Sequence, residues 1–221
     1  MLRLFARLVG AALLSSVLAS RPAHSESLPP AVDAADTAPL SADARYAATR
    51  VLDSADHRGR PFAIVDKRDA QLHLFDRSGQ WLGSTPVLIG LAPGDADISG
   101  IAGRRPASLA PHERSTPSGR FESVPGHNDK GEAIVWVDHA ASLAIHRLRP
   151  APAQERRAAR LASPTPDDNR ISLGCIVVPV AFYEARVEPV LGREPGVVYV
   201  LPETQPVQAL FDAPPQRLAT R

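Results

Sequence analysis

The single cysteine of this 221-residue chain, Cys175, is its one thiol nucleophile in the making. A free thiol with a pKa near about 8.5 is only a few per cent ionised at neutral pH, so a working one needs a base or an ion-pair partner, usually histidine. All seven histidines, at positions 24, 57, 73, 112, 127, 139 and 146, precede Cys175, which excludes a papain-like order with the base after the nucleophile. His146 is the best placed: it lies in the alternating stretch Leu143-Ala144-Ile145-His146-Arg147, where a strand would hold its ring in one direction. The thiol sits in Arg170-Ile171-Ser172-Leu173-Gly174-Cys175-Ile176-Val177-Val178-Pro179. There a small hydroxyl residue is followed by a glycine that would let backbone N–H groups approach a reacting carbonyl, and by an apolar strand that would fix the sulfur. The same Gly-Cys pair also suits a buried structural cysteine. Just upstream, Arg170 has the planar fork to hold a carboxylate bidentately, or to pair with Asp167 or Asp168, and Asn169 reads as a cap or a turn hydrogen-bonder.

The elements that would position these residues are mainly β. From Pro61 onward, short β-type runs alternate with turn residues: 62–66, 71–75, 81–89, 120–124, 133–137 and 197–201, with Asp76-Arg77-Ser78-Gly79 as a hairpin loop. The stretch from Gly90 to Gly119 is too long for a simple turn and is read as a rim around a substrate. Ser41 caps a short helix running to Leu52, residues 181–191 look helical, and a charged helix with Glu155, Arg156, Arg157 and Arg160 is expected over 152–161, between His146 and Cys175. Trp81, Trp136 and Tyr183 are read as core packing. Residues after Glu203 look like a loose tail.

Residues 1–25 have a basic start (Arg3, Arg7), an apolar run from Leu8 to Ala19 and small residues suited to cleavage, the pattern of a secretory signal peptide; 26–60 would be a flexible leader and the short helix. The expected setting is the periplasm, with no stable membrane insertion after cleavage and no junction cysteine for lipidation. Without that segment 22 basic residues face 24 acidic ones, a net charge of −2, and no clustered basic face suggests nucleic acid. One cysteine forms no internal disulfide, and a lone exported thiol is a liability unless it is buried or at work.

The segment around Cys175 resembles the L,D-transpeptidase catalytic (YkuD-type) family, whose signature is a histidine followed by Ser or Thr, His, Gly and Cys. This chain supplies His146, Ser172, Gly174 and Cys175, and the likeness extends through Phe62-Ala63-Ile64-Val65-Asp66-Lys67, Thr116-Pro117-Ser118-Gly119-Arg120-Phe121 and Val197-Val198-Tyr199-Val200-Leu201-Pro202, roughly 61–202. Leu173 stands where the family usually has a second histidine, Val177 where Asn or Arg is common, and the interval from His146 to Cys175 is longer than usual. The resemblance implies a mainly β, mixed-sheet, sandwich- or barrel-like catalytic fold with small peripheral helices over 61–202, followed by a tail over 203–221. It implies Cys175 as nucleophile, His146 as base oriented by the backbone carbonyl of Arg147, and Gly174 in the catalytic turn, with Ser172, Leu173, Arg170 and Asn169 facing substrate. The substrate would be a peptidoglycan stem peptide, attacked at diaminopimelate to expel D-Ala and leave a thioester, with no metal and no cofactor. The acceptor would be a second stem or a protein lysine. With water the same fold would be a carboxypeptidase, and with chemistry lost a silent wall-binding domain. A zinc hydrolase built on His112, His127, His139 or Asp138 is disfavoured by spacing, and a sortase-like site would need Arg186 or Arg193.

Overall fold

The computed structural model describes residues 39–96, 104 and 108–212, all in the second of two units into which the chain divides, 32–221. The expected signal segment, the leader through residue 38 and residues 213–221 of the expected tail lie outside the described residues, as do 97–103 and 105–107 of the expected rim.

The described strands are β1 (Phe62–Asp66), β2 (Gln71–Phe75), β3 (Trp81–Pro86), β4 (Ile89–Gly90), β5 (Gly119–His127), β6 (Ala133–Asp138), β7 (Leu143–Arg147), β8 (Arg170–Ser172), β9 (Ile176–Val178) and β10 (Gly196–Val200). Eight form one mixed sheet in the order β3-β2-β1-β10-β5-β6-β7-β9, with β1–β10 and β7–β9 parallel; β4 and β8 form a separate parallel pair. Just past β3, at one end of the sheet, Leu88 exchanges two backbone hydrogen bonds (2.8 and 2.9 Å) with Val177 of β9, at the other end. The sheet is therefore nearly closed on itself. Closure pairs edge groups that would otherwise be unsatisfied, and it brings the segment after β3 against the strand that follows Cys175.

Strand alternation divides the core in two. Ala63, Val65, Leu72, Leu74, Val198 and Val200 face the interior with Val135, Ile145 and Ile176. The residues between them, Phe62, Ile64, Val197 and Tyr199, face the opposite side with Phe75. That outer face is covered by helix α1 (Ala42–Ser54), whose Ala44, Ala47, Ala48 and Val51 recur at helical spacing and are buried. Ser41 Oγ accepts from Ala44 N–H at 3.0 Å, a cap that contributes about 1 kcal/mol, and Ala55 ends the helix at φ 51°.

Three expectations change. The run 81–89 is split: β3 ends at Pro86, which has no N–H to continue a ladder, and the chain crosses to β9 through Leu88 before Ile89–Gly90 pairs with β8. The helix over 152–161 breaks at Arg156 (φ 47°) into a 3₁₀ turn, Ala153–Glu155, and α2 (Arg157–Leu161). Leu161 is the one large apolar side chain of that segment, packing on Leu88 and Val177, too little to hold a longer helix. The tail after Glu203 is packed through residue 212: Val207 is buried and Phe211 meets Tyr46 edge-on at 6.0 Å. Residues 180–190 are helical as expected, with a π segment at Tyr183–Val187.

Candidate active site

The parallel register of β7 and β9 pairs Ile145 with Ile176 and His146 with Val177. Continued by one residue it sets Cys175 beside Ala144, and because residues two apart share a face, Ala144 and His146 point to the same side of β7. The thiol donates to the Ser142 carbonyl at 3.4 Å. His146, 8% exposed, has its Nδ1 2.8 Å from the Arg147 carbonyl, which fixes Nδ1 as the protonated nitrogen and leaves Nε2 as the acceptor. The Arg147 side chain is elsewhere, pairing with Glu184 at 2.9 Å and lying 5.0 Å over the Tyr183 ring.

Both groups are neutral at pH 7. Burial lowers the His146 imidazole to about 4, against a smaller opposing effect from the Arg147 carbonyl, with Arg149 and Arg157 adding to the fall. Burial raises the Cys175 thiol above its ordinary value, opposed by the Ala144 N–H and by Arg149. Each group by itself is thus favoured in its neutral form, as imidazole and as thiol.

The turn that carries the thiol is held from within. Gly174 N–H donates to Ser172 Oγ at 3.1 Å, and the Ser172 hydroxyl donates to the Cys175 carbonyl at 2.6 Å. Gly174 adopts φ +133°, and a Cβ there would lie 2.9 Å from the Ser115 carbonyl oxygen. Its glycine is thus required by backbone conformation and close approach, while its amide is occupied by Ser172. Thr116 Oγ1 donates to the Gly174 carbonyl at 2.7 Å and accepts from Gly90 N–H at 2.9 Å, tying the turn to β4.

Of the four residues expected to face substrate, Leu173 has the open side chain, 39% exposed. Ser172 is buried and spent on the turn. Asn169 is buried, its Nδ2 donating to the Val87 carbonyl at 2.9 Å and its Oδ1 without a partner. Arg170 pairs with Glu203, not with Asp167 or Asp168.

That ion pair belongs to a buried cluster that sequence reasoning did not assemble. Lys67 has a fully buried side chain, 2.9 Å from Asp95 and 3.5 Å from Glu203, and donates to the Thr116 carbonyl at 2.9 Å. Asp95 also accepts from the N–H groups of Glu203 and Thr204, both at 2.8 Å. Burial alone would raise the Asp95 carboxyl, but the bonds from Thr204 and Lys67 hold it down at about 2. Two cations and two carboxylates therefore lock the 67–70 turn, the start of β8, the Thr116 segment and the first tail residues together behind the thiol turn. A faint signal was present: a lysine two residues after the apolar run 62–65 would, if buried, need a charged partner. Nothing local named that partner.

Tyr183 is buried, donating to the Ala133 carbonyl at 2.9 Å, while Trp81 is exposed at the sheet's end. Among the described residues no three His, Cys, Asp or Glu side chains converge as metal ligands, and no helix is long and apolar enough to cross a membrane.

No protein-family model matches the chain, and no curated protein does. Among solved structures, it is similar to the Ldtfm–avibactam carbamoyl enzyme, with 16% identity over 65% of this chain and 49% of that one and a TM-score of 0.39. It is similar also to the catalytic domain of an Enterococcus faecium L,D-transpeptidase, with 17% identity over 65% and 98% and a TM-score of 0.36. A third is the helical cell shape determining protein Pgp2 from Campylobacter jejuni, with 13% identity over 66% and 49% and a TM-score of 0.41. The chain spans about half the length of the first and third of these. In structure, then, the chain is similar to L,D-transpeptidases of several species, Enterococcus faecium and Mycobacterium smegmatis among them.

Proposed function

We propose that the chain is a cysteine acyltransferase of the L,D-transpeptidase type, exported to act on peptidoglycan stem peptides. One observation carries the reading: a histidine whose Nδ1 is fixed to its neighbour's carbonyl stands on the strand beside a thiol held in a rigid Ser172–Gly174 turn.

Because both partners rest neutral, the thiol is activated in concert with attack. It swings from the Ser142 carbonyl to Nε2 of His146, which takes its proton as sulfur bonds to the carbonyl carbon of the stem's third residue. The Cys175 amide offers a hydrogen bond to the resulting oxyanion, since the Gly174 amide is engaged. The imidazolium gives its proton to the departing amine of D-Ala, leaving a thioester. An acceptor amine then attacks, His146 takes its proton, and the thiol is restored as the new amide forms. Leu173, open beside the thiol, contacts the substrate's apolar portion; Ser172, Asn169 and Arg170 act by holding the turn and β8 in place.

The test is to incubate purified mature protein, and its Cys175→Ala variant, with diaminopimelate-containing tetrapeptide muropeptides. D-Ala release and a covalent adduct from the parent alone support the proposal, dimers marking transfer to an amine and tripeptides transfer to water. A folded parent that neither releases D-Ala nor forms an adduct refutes it.

A further inference from the structure

The segment between His146 and Cys175 contains a cavity of about 320 Å³ lined by Arg156, Ala159, Arg160, Ser163 and Asp168. Its volume is at the small end for ligand sites. Two guanidinium groups line it, and among the described residues neither Arg156 nor Arg160 has a carboxylate partner. Arg160 is nevertheless held in place: its Nε donates to the Glu155 carbonyl at 2.9 Å and its Nη1 to the Asp168 carbonyl at 2.7 Å. Carbonyls orient the group without neutralising it. Arg156 is exposed and sits at φ +47°, a conformation that costs an arginine and is given up by the helix it interrupts. Asp168 commits one oxygen, Oδ2, to the Ser163 hydroxyl at 2.6 Å, which leaves Oδ1 for a donor.

Two unneutralised guanidiniums with one carboxylate opposite do not suit a plain dianion, which Asp168 would repel. They suit a group that carries both charges. We propose that this cavity binds an α-amino-acid head group, with its carboxylate between Arg156 and Arg160 and its ammonium at Asp168. The cavity is formed by the segment that joins His146 to Cys175 along the chain. Leu161 of the same segment packs on Val177, the β9 partner of His146, and the charge of Arg157 acts on the His146 ring. On the function proposed above, on which this identification rests, the head group is the free amino-acid end of a diaminopimelate side chain in a stem peptide.

The test uses mature Cys175→Ala protein, in which no turnover occurs, titrated with free diaminopimelate and D-alanine and followed by amide chemical shifts of residues 150–170. Saturable binding is expected for both, weakened for N-acetyl-D-alanine, which lacks the ammonium, and for D-alanine amide, which lacks the carboxylate. Arg156→Gln should weaken D-alanine binding about ten-fold, the loss of one charge-assisted hydrogen bond. Arg156→Gly removes the same group while relaxing the backbone, so its weaker binding is not a folding defect. Asp168→Asn, which keeps the Ser163 contact, should weaken D-alanine but leave N-acetyl-D-alanine unchanged. No saturable binding by the parent, or binding by Arg156→Gln and Arg156→Gly as tight as the parent's, overturns the proposal. D-Ala release by the Cys175 protein is read separately, so loss of this inference and loss of the proposed function are distinguishable.

Discussion

Gly174→Ala tests the geometry of the thiol turn directly. The new Cβ would stand 2.9 Å from the Ser115 carbonyl oxygen, a backbone atom that moves only with the Thr116 segment, and φ +133° is a region that side-chain-bearing residues rarely adopt. Backbone strain of about 1–3 kcal/mol adds to about 1 kcal/mol for disturbing the bond from Thr116 Oγ1 to the Gly174 carbonyl, and relieving the collision adds about 1 kcal/mol more. A total of roughly 3–5 kcal/mol corresponds to a fall in Tm of roughly 6–20 °C for a domain of this size. Gly131→Ala supplies the control, since Gly131 also has positive φ (+76°) but nothing within 4 Å of its added Cβ. It should cost about 1–2 kcal/mol. Thermal unfolding followed by circular dichroism measures both. Equal falls for the two variants, or a Gly174→Ala Tm within about 4 °C of the parent, would refute the argument that close approach dictates this glycine.

Three further outcomes follow from the electrostatics. Alkylation of Cys175 by iodoacetamide should be slow at pH 7 and still rising above pH 9, because burial raises the thiol; a plateau already reached at pH 6 would mean a thiolate–imidazolium pair instead. His73, buried with its Nδ1 2.5 Å from Ser84 Oγ, and His146 both titrate at about 4 in the folded chain against 6.5 ordinarily. Each depressed imidazole contributes stability that is full above pH 6.5 and is lost as pH falls towards 4, about 3 kcal/mol per ring. Urea titrations should therefore show stability falling between pH 7 and 4.5, and an unchanged midpoint would contradict the burial of these rings. Glu203→Gln removes the partner of Arg170 and one of the two carboxylates near Lys67, and breaking such a buried cluster should cost about 3–5 kcal/mol in urea unfolding. A loss under about 1 kcal/mol would show the cluster to be solvated.

What could be read along the chain was whatever depends on near neighbours. Short β-type runs bounded by turn residues at 62–66, 71–75 and 197–201 identified strands because β-branched and aromatic residues suit a pleated sheet, and Ser41 marked its helix because a cap acts within one turn. The choice of Cys175 and His146 rested on residue type and order, together with the likeness of the surrounding motif to a family. Sequence reasoning also gave Gly174 an electrostatic task at the amide, whereas its conformation is set by Ser115, a residue 59 positions away. The pairing of Lys67 with Asp95 and Glu203, of Arg170 with Glu203, and of Leu88 with Val177 was not legible, since each joins segments that only the folded sheet makes adjacent. The sequence by itself determined most of the strands and the capped helix, and it singled out Cys175 and His146 as candidates. The tertiary structure decided that the parallel pairing of β7 with β9 brings the strand of His146 beside that of Cys175, that burial favours the neutral form of each, and that a buried charge cluster ties the neighbouring segments together. Neutrality and adjacency depend on which surfaces lose water when distant segments meet, and no local pattern encodes that.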